Sequence, residues 1–224
     1  MAEKMVLPDP YQPSLDTCVF TDDEEAAIAN ALATEKPWDW RPGGAEEESL
    51  RSAKAKIRDC HLARHGDRCC YCRFPLHGGG HFIVDPEHVL PKSNNTYRPL
   101  AYAVWNLGIS CKRCNMQYKG AKIDFVVDAV NDAAFQDSAN YRLIHPNFDS
   151  YKDHISISMA MNDDTTLIKY TTHQGSEKGS YTYDYFNLRE REVGTFDAAQ
   201  GRDVPDELGN GAREARELAR EYGQ

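Results

Sequence analysis

Two pairs of cysteines carry the clearest chemistry in this sequence. In each pair two residues separate the cysteines, and the four residues are Cys69, Cys72, Cys111 and Cys114. Both thiolates of such a pair can reach one zinc ion at about 2.3 Å, and two pairs complete a tetrahedral site with no open position, so the zinc would be structural. Cys70 would replace Cys69 only in a less common Cys-x-Cys arrangement. We interpret Cys18 and Cys60 as core or exposed thiols and assign them no role.

A histidine flanked by carboxylates lies between the two pairs. The intervening segment, 73–110, is longer than the roughly 15–20 residues of a zinc ribbon, so something folds inside it. There the apolar run Phe82–Val84 leads to Asp85, Glu87 and His88. A carboxylate holds a hard divalent cation and an imidazole takes a proton from water, which together indicate metal-assisted hydrolysis. Oxygen ligands favour Mg²⁺ or Mn²⁺, whereas zinc favours the thiolates.

The charge is distributed unevenly along the chain. The net charge of −9 argues by itself against a nucleic-acid partner, but residues 51–124 hold 13 basic and 5 acidic residues and are therefore at +8. Residues 1–50 are at −9 and residues 125–224 at −8. The basic centre coincides with the cysteine pairs, which is where a phosphate backbone would bind.

The compartment follows from what the chain lacks. No stretch approaches the roughly 18 apolar residues of a membrane span, and the N-terminus has no apolar signal core. Seven cysteines are an odd number, which argues against a closed disulfide framework. We therefore expect a cytoplasmic protein with no membrane partner.

The order of these motifs resembles that of the HNH endonucleases. In that family a Cys-x-x-Cys pair precedes a strand ending in an acidic residue and a histidine, an Asn-Leu follows, and a second Cys-x-x-Cys continues into Asn or His with a lysine four residues on. The matching residues here are Cys69, Cys72, Glu87, His88, Asn106, Leu107, Cys111, Cys114, Asn115 and Lys119. The match covers residues 64–122.

The resemblance implies a role for each matched residue. His88 would be the general base that activates water, and Asn106 would hold the loop that orients it. Asn115 would be a ligand of the catalytic Mg²⁺ or Mn²⁺, with Glu87 as the acidic ligand and Asp85 as the alternative. The basic residues that we expect to contact nucleic acid are Lys92, Lys112, Arg113, Lys119 and Lys122. For Lys112 and Arg113, screening of the zinc thiolates is an equal alternative.

The segment that follows resembles a narrower group. His145-Pro146 with Asp149 downstream, a short sheet and Asn187-Leu188 are similar to the C-terminal region of HNH subunits from Septu-type antiphage systems. That resemblance implies a role in bacterial defence and an SMC-like ATPase partner beside DNA.

The elements that position these residues predict an α+β fold in three segments. Residues 1–44 form an acidic arm and a helix that Thr21 and Glu24 cap, and residues 125–224 form a C-terminal extension. Residues 45–124 form a second helix and a ββα-metal core with structural zinc. The second helix carries an inward apolar stripe of Leu50, Ala53, Ile57 and either Cys60 or His61, and it ends at Gly66. In the extension we predict a helix over Phe125–Ala134, strands at Ile155–Met161, Thr165–Thr172 and Ser180–Phe186, and a helix over Pro205–Tyr222.

The sequence leaves one rival class of function. A zinc-stabilised module that grips nucleic acid or protein without cutting would share the cysteines and the basic centre. Such a binder has no need of His88 and Asn115 together, so we expect an endonuclease that cleaves DNA phosphodiester bonds, under the control of a partner subunit.

Overall fold

The computed structural model describes residues 9–78, 84–162 and 165–192, and their fold is α+β. Two two-stranded antiparallel sheets accompany the helices. The main elements are α1 (Asp22–Leu32), α2 (Gly44–His65), β1 (Val84–His88), β2 (Leu107–Cys111), a π-helix (Arg113–Lys119), β3 (Ile155–Asn162), β4 (Thr165–Thr172) and α3 (Glu177–Tyr185). The predicted C-terminal helix over Pro205–Tyr222, and the residues Phe82 and Ile83 of the predicted apolar run, lie outside the described residues.

The two N-terminal helices form where their boundary residues predict. At the start of α1 the Thr21 hydroxyl accepts from the Glu24 backbone, and the Glu24 carboxylate accepts from the Thr21 backbone. This capping box satisfies two amides that the first turn leaves open. Helix α2 ends at Gly66, which adopts the left-handed conformation (φ 60°) that a residue without Cβ reaches at no steric cost.

The two helices pack through the apolar stripe predicted on α2. Leu50, Ala53 and Ile57 are buried against Ala27 and Ala31 of α1. One turn further on, the stripe continues with His61 rather than Cys60, because His61 is the buried residue of the two. The stripe thus fixes α2 against α1 and, at its other flank, against β2.

Strands β1 and β2 place the candidate site residues opposite one another. They pair antiparallel, with Asp85 opposite Ser110, Glu87 opposite Gly108 and His88 opposite Leu107. The π-helix follows β2 directly, after Lys112. This order of strand, strand and helix brings the second cysteine pair back beside the first.

The predicted helix over Phe125–Ala134 is wrong. Only a single 3-10 turn, Asp132–Ala134, forms there. The Asp128 carboxylate accepts hydrogen bonds from two backbone amides that follow it, and the Asn140 side chain bonds the Asp128 backbone. These local side-chain bonds replace the helical ones.

The predicted strand over Ser180–Phe186 is also wrong, because α3 occupies this segment. The Ser176 hydroxyl caps the helix by accepting from the Gly179 amide. Tyr181 and Tyr185 stack on one face of the helix with ring centroids 5.6 Å apart. The strands at β3 and β4 form as predicted.

The described residues belong to two compact units. Of these residues, the first unit comprises 9–78, 84–157 and 170–189 and contains the whole candidate site. The second comprises 158–162, 165–169 and 190–192, where Lys169 pairs with Glu192 at 3.6 Å. Among the described residues, no helix has the length and apolar character needed to cross a membrane.

The N-terminal arm is bound to α2 by two contacts that the sequence did not predict. Cys18 and Cys60 form a disulfide, so their interpretation as thiols is wrong. The odd cysteine count hid this pair because five other cysteines stay free. In addition, the buried Arg64 guanidinium forms a bidentate salt bridge with the Asp9 carboxylate, with hydrogen bonds of 2.8 and 2.9 Å.

Candidate metal centre and candidate active site

The four cysteines of the two pairs converge on one point. Their ligand atoms all lie within 4.8 Å of one another, and all four residues are buried. The sulfurs of Cys72 and Cys111 are 3.8 Å apart. A regular tetrahedron with zinc–sulfur bonds of about 2.3 Å has a sulfur–sulfur edge of about 3.8 Å, so the cluster has the donor set and the spacing of a structural zinc site.

Position distinguishes Cys69 from its neighbour Cys70, because the Cys69 sulfur lies in the cluster and the Cys70 sulfur does not. Burial alone would raise the pKa of Cys69, but hydrogen bonds from the other thiols, those of Cys111 and Cys114 first, lower it well below its ordinary range. Burial, followed by the adjacent Cys69, raises the pKa of Cys70 well above its ordinary range. Cys70 packs against Gly108 of β2, where an added Cβ would lie 3.4 Å from its sulfur. Cys69 and not Cys70 therefore completes the cluster.

His88 ends β1 as a buried side chain with one nitrogen fixed. Its Nε2 lies 3.0 Å from the carbonyl oxygen of Ala101. Because a carbonyl only accepts, Nε2 carries the proton and Nδ1 is the basic nitrogen. Burial lowers the pKa of His88 to about 3, against the opposing effect of the Ala101 hydrogen bond. The imidazole is therefore neutral at physiological pH, with Nδ1 unprotonated, and it is a weak base as long as it stays buried.

Asn106 holds the loop that leaves His88. Its Oδ1 accepts from the Leu90 amide at 2.8 Å, and its Nδ2 donates to the carbonyls of Leu90 (3.1 Å) and Leu100 (3.3 Å). Its own carbonyl accepts from the Val89 amide at 2.9 Å. The side chain is fully buried, so these bonds tie the exit of β1 to the entry of β2 without competition from water.

Glu87 lies in a buried ion pair. Its Oε1 accepts from the Lys119 ammonium at 2.7 Å and from the Tyr71 hydroxyl at 3.0 Å, and both charged side chains are almost inaccessible. Burial raises the pKa of the Glu87 carboxyl against the opposing charge of Lys119. Lys119 also donates to the carbonyl of His88 at 2.6 Å. The lysine thus connects the π-helix to the end of β1.

Glu87 and His88 leave β1 on opposite faces, as adjacent strand residues do. Glu87 faces Tyr71 and Lys119, whereas His88 faces Trp38 and Ala101. The structure therefore separates the two side chains that the sequence motif pairs. Asp85 lies on the Glu87 face by the same alternation, half-buried, with its carboxylate 3.4 Å from the Lys112 ammonium.

Asn115 lies on the π-helix directly after the last cysteine of the cluster. Its side chain is half-buried, and its carbonyl accepts from the Gly120 amide at 2.6 Å. That bond spans five residues, so Lys119 is not one full turn from Asn115 as α-helical spacing predicts.

The basic residues predicted to contact nucleic acid fall into two groups. Lys119 is buried, and Arg113 donates to the carbonyls of Phe186 and Asn187 at 2.9 Å each, so both serve internal contacts. The three that reach solvent are Lys92, Lys112 and Lys122. Lys92 makes a further contact, an ion pair with Asp39.

Sequence reasoning missed the connection between α1 and α2. Trp38 packs edge-on against the His88 ring, with centroids 4.8 Å apart and planes at 89°. The available signal was the pair Trp38 and Trp40 between Pro37 and Pro42, to which we assigned no packing role. Two large aromatic residues in a connection between helices indicate that the connection packs on the core.

Comparison with protein-family models returns no match for this chain, and comparison with curated proteins returns none either.

Proposed function

We propose that this protein is a metal-dependent endonuclease of the HNH type that hydrolyses DNA phosphodiester bonds. The observation that carries the proposal is the state of His88. A buried, neutral imidazole has Nε2 fixed by a carbonyl, and Nδ1 has no hydrogen-bond partner in the part of the chain that the structure describes. A general base needs an unprotonated nitrogen, which His88 has at Nδ1, and a pKa near the operating pH, which the buried imidazole would regain only on exposure.

The proposal assigns the β1–β2 pair and the π-helix to a ββα-metal core with structural zinc. Its support is the chain order, in which the cysteine cluster anchors both ends of the segment that carries His88 and Asn106, and Asn115 follows Cys114 directly. Asn106 fixes the loop, Lys119 fixes the carbonyl of His88, and Ala101 fixes the ring. Three contacts thus determine where Nδ1 lies. A fixed position is what a base needs in order to take a proton from the water that attacks phosphorus.

The face of β1 that carries Glu87 offers an oxygen ligand suited to a hard cation. The Oε2 atom of Glu87 is buried and has no hydrogen-bond partner among the described residues. We propose that this oxygen, Asp85 and Asn115 hold Mg²⁺ or Mn²⁺, which when bound would stabilise the charge on the phosphate and the leaving oxygen. Lys119 orients the carboxylate and leaves Oε2 as its free acceptor.

One observation favours the rival function, a zinc-stabilised module that binds nucleic acid or protein without cutting. Lys119 neutralises Glu87, and Glu87 lies on the face opposite His88. In a pure binder the same pair would simply satisfy a buried carboxylate.

Plasmid cleavage separates the two functions. Supercoiled plasmid is incubated with the wild type, His88→Ala or His173→Ala in Mg²⁺, Mn²⁺ or EDTA. His173 is a matched control because its imidazole bonds Ser156 and the Asp153 carbonyl, away from β1. We expect cation-dependent nicking by the wild type and His173→Ala, and a loss of about 100-fold or more with His88→Ala, the usual range for a general base.

The outcomes are distinct. Equal cutting by His88→Ala would show that His88 is not the base. DNA binding without cleavage by the wild type, under every cation and with an SMC-like ATPase partner present, would favour the binding module. Within the endonuclease proposal, a Septu-type defence role and such an ATPase remain the proposed setting, and stimulation of cleavage by the ATPase is the corresponding measurement.

A further inference from the structure

The connection between α1 and α2 covers the imidazole of His88. Besides the ring contact of Trp38, the Pro37 carbonyl accepts from the Tyr102 hydroxyl at 3.3 Å, and the Trp38 carbonyl accepts from the Lys54 ammonium at 2.6 Å. Together these contacts hold the segment Pro37–Asp39, which we call the cover, over the ring. His88 retains only 7% of its exposure.

The cover is held at its far end by charge. The Asp39 carboxylate forms an ion pair with Lys92, four residues after His88. The positive charges of Lys92, Lys54 and Arg41 all act on Asp39 and, outweighing its partial burial, lower the pKa of its carboxyl. Lys54 in turn lies 5.0 Å from the Trp38 ring centroid. Burial first, and then Arg41, lowers the pKa of Lys54 to about 8.

Two lysines and one carboxylate therefore lie beside a candidate base that acts on a phosphodiester. A phosphodiester carries one negative charge, as Asp39 does, and lysine binds either group as a point charge. The Asp39 side chain is 55% exposed, so solvent and solute reach the ion pair without unfolding the core.

We propose that Lys54 and Lys92 form a subsite for a nucleic-acid backbone phosphate, and that Asp39 occupies this subsite in the free protein and thereby keeps Trp38 over His88. The inference rests on the proposed function for the role of His88, but the subsite and the cover are tested without cleavage. A phosphate that takes Lys92 from Asp39 removes the charge contact of the cover, and the imidazole becomes accessible. Substrate binding and exposure of the base are thus one event.

The first measurement is DNA binding in EDTA, by fluorescence anisotropy of a short labelled duplex at low salt. Asp39→Asn removes the internal competitor and should tighten binding roughly threefold to fivefold, the size expected when one surface ion pair no longer has to break. Asp59→Asn is the charge-matched control, because Asp59 pairs with Arg58 at 2.8 Å and has no contact with Trp38 or Lys92. Lys92→Ala should weaken binding.

The second measurement is the reactivity of His88 towards diethyl pyrocarbonate, which acylates neutral imidazoles and is quantified per residue by peptide mass spectrometry. His173 serves as the internal reference. We expect Asp39→Asn to raise the reactivity of His88 about threefold or more, and Trp38→Ala to raise it further. Trp40→Ala is the matched control, since Trp40 packs on the same core and makes no ring contact with His88.

The two measurements give separable outcomes. Increases in both with Asp39→Asn, and in neither with Asp59→Asn, support the proposal. Unchanged His88 reactivity in both Asp39→Asn and Trp38→Ala would overturn the cover, and a more reactive His88 without tighter DNA binding would overturn the phosphate subsite. If both measurements respond as expected while no variant cleaves plasmid, the proposed function fails and the cover stands.

Discussion

His88 illustrates how much of a residue's chemistry comes from its neighbours. A histidine at the end of a strand has an ordinary pKa near 6.5 and two equivalent tautomers. Here the carbonyl of Ala101 selects the tautomer, burial lowers the pKa of the imidazole to about 3, and Trp38 limits access to the ring. These three effects keep the imidazole neutral, with Nδ1 unprotonated, and largely closed to solvent.

Asn106 supports that arrangement and is the first residue whose removal we expect to be measurable. Asn106→Ala leaves the amide and the carbonyl of Leu90 without partners in a buried position, whereas the Leu100 carbonyl keeps the Ala103 amide. We expect the free energy of unfolding to fall by about 2–4 kcal/mol, because each orphaned buried group costs about 1–3 kcal/mol and some of them regain water. Urea unfolding at pH 7.5 measures the change.

Asn30→Ala is the control for this prediction. The Asn30 side chain also makes a hydrogen bond, to the Glu46 carboxylate at 2.7 Å, but in an exposed position. Its loss should change the free energy of unfolding by less than about 0.5 kcal/mol. Equal losses for the two variants would mean that Asn106 does not hold the loop.

At the scale of elements, the sequence predicted what strong local signals determine. The capping box of Thr21 and Glu24 and the left-handed Gly66 mark helix ends by their own backbone geometry, so α1 and α2 are correct to within about a residue of those signals. The cysteine spacing likewise predicted the cluster because two residues between ligands is a geometric requirement of the metal.

The sequence predictions failed in segments whose structure is determined by long-range contacts. The segment after Phe125 has helical composition, yet Asn140 bonds the backbone of Asp128 and holds it in a turn. The Cys18–Cys60 pair and the Trp38–His88 contact join segments 42 and 50 residues apart, and no local pattern encodes such a separation. For the site this means that the ligands of the cluster were predictable, whereas the cover was not.

The two cysteine pairs lead to a second prediction, which concerns the metal content of the protein. Cys70→Ser should retain about one zinc per chain, because the Cys70 sulfur packs against Gly108 and is not in the cluster. Cys72→Ser should lose most of the zinc, since it removes one of four thiolates. Elemental analysis of the purified variants gives the ratio. A folded wild type with well under one zinc per chain, or equal loss in the two variants, would contradict the assignment.

Helix α3 makes a third prediction, in which two effects oppose each other. Gly179→Ala improves helix propensity by up to about 1 kcal/mol, but the new Cβ would lie 2.6 Å from the His154 carbonyl oxygen. A backbone atom cannot yield as a flexible side chain does, so we expect a net loss of about 1–2 kcal/mol. Ser180→Ala, the exposed neighbour on the same helix, should stay within about 0.5 kcal/mol. Thermal unfolding of both variants decides; stabilisation by Gly179→Ala would refute the close packing.

At the scale of the whole molecule, the basic centre is smaller than its composition suggests. Lys119 and Arg64 are buried in ion pairs, and Arg113 serves two backbone carbonyls. The positive charge that remains accessible near His88 is therefore concentrated in a few lysines, of which Lys92 is already paired with Asp39. A chain with this distribution should bind nucleic acid weakly until the cover opens, with an affinity that falls as salt rises.

The same packing buries several histidines in their neutral form, which determines how stability depends on pH. Burial first, then Arg64, lowers the pKa of His61 to about 4, and burial lowers the pKa of His65 and His145 well below their ordinary value. Below about pH 6.5 these histidines bind protons in the unfolded chain but not in the folded chain, so the free energy of unfolding falls as the pH falls. For His61 alone the loss between pH 7.5 and pH 5 is about 2 kcal/mol, and the other two act in the same direction.

Urea unfolding across that range measures this dependence, with zinc content followed at each pH so that protonation of the thiolates is recorded separately. His61→Leu should reduce the slope of the unfolding free energy against pH by the amount that corresponds to about one bound proton. The reason is that it removes one group that is protonated in the unfolded state and not in the folded state. His173→Leu should leave the slope unchanged, since His173 is partly exposed and bonds Ser156 at the surface. A wild-type stability that stays constant from pH 7.5 to pH 5 while zinc is retained would show that these histidines are not held neutral by burial.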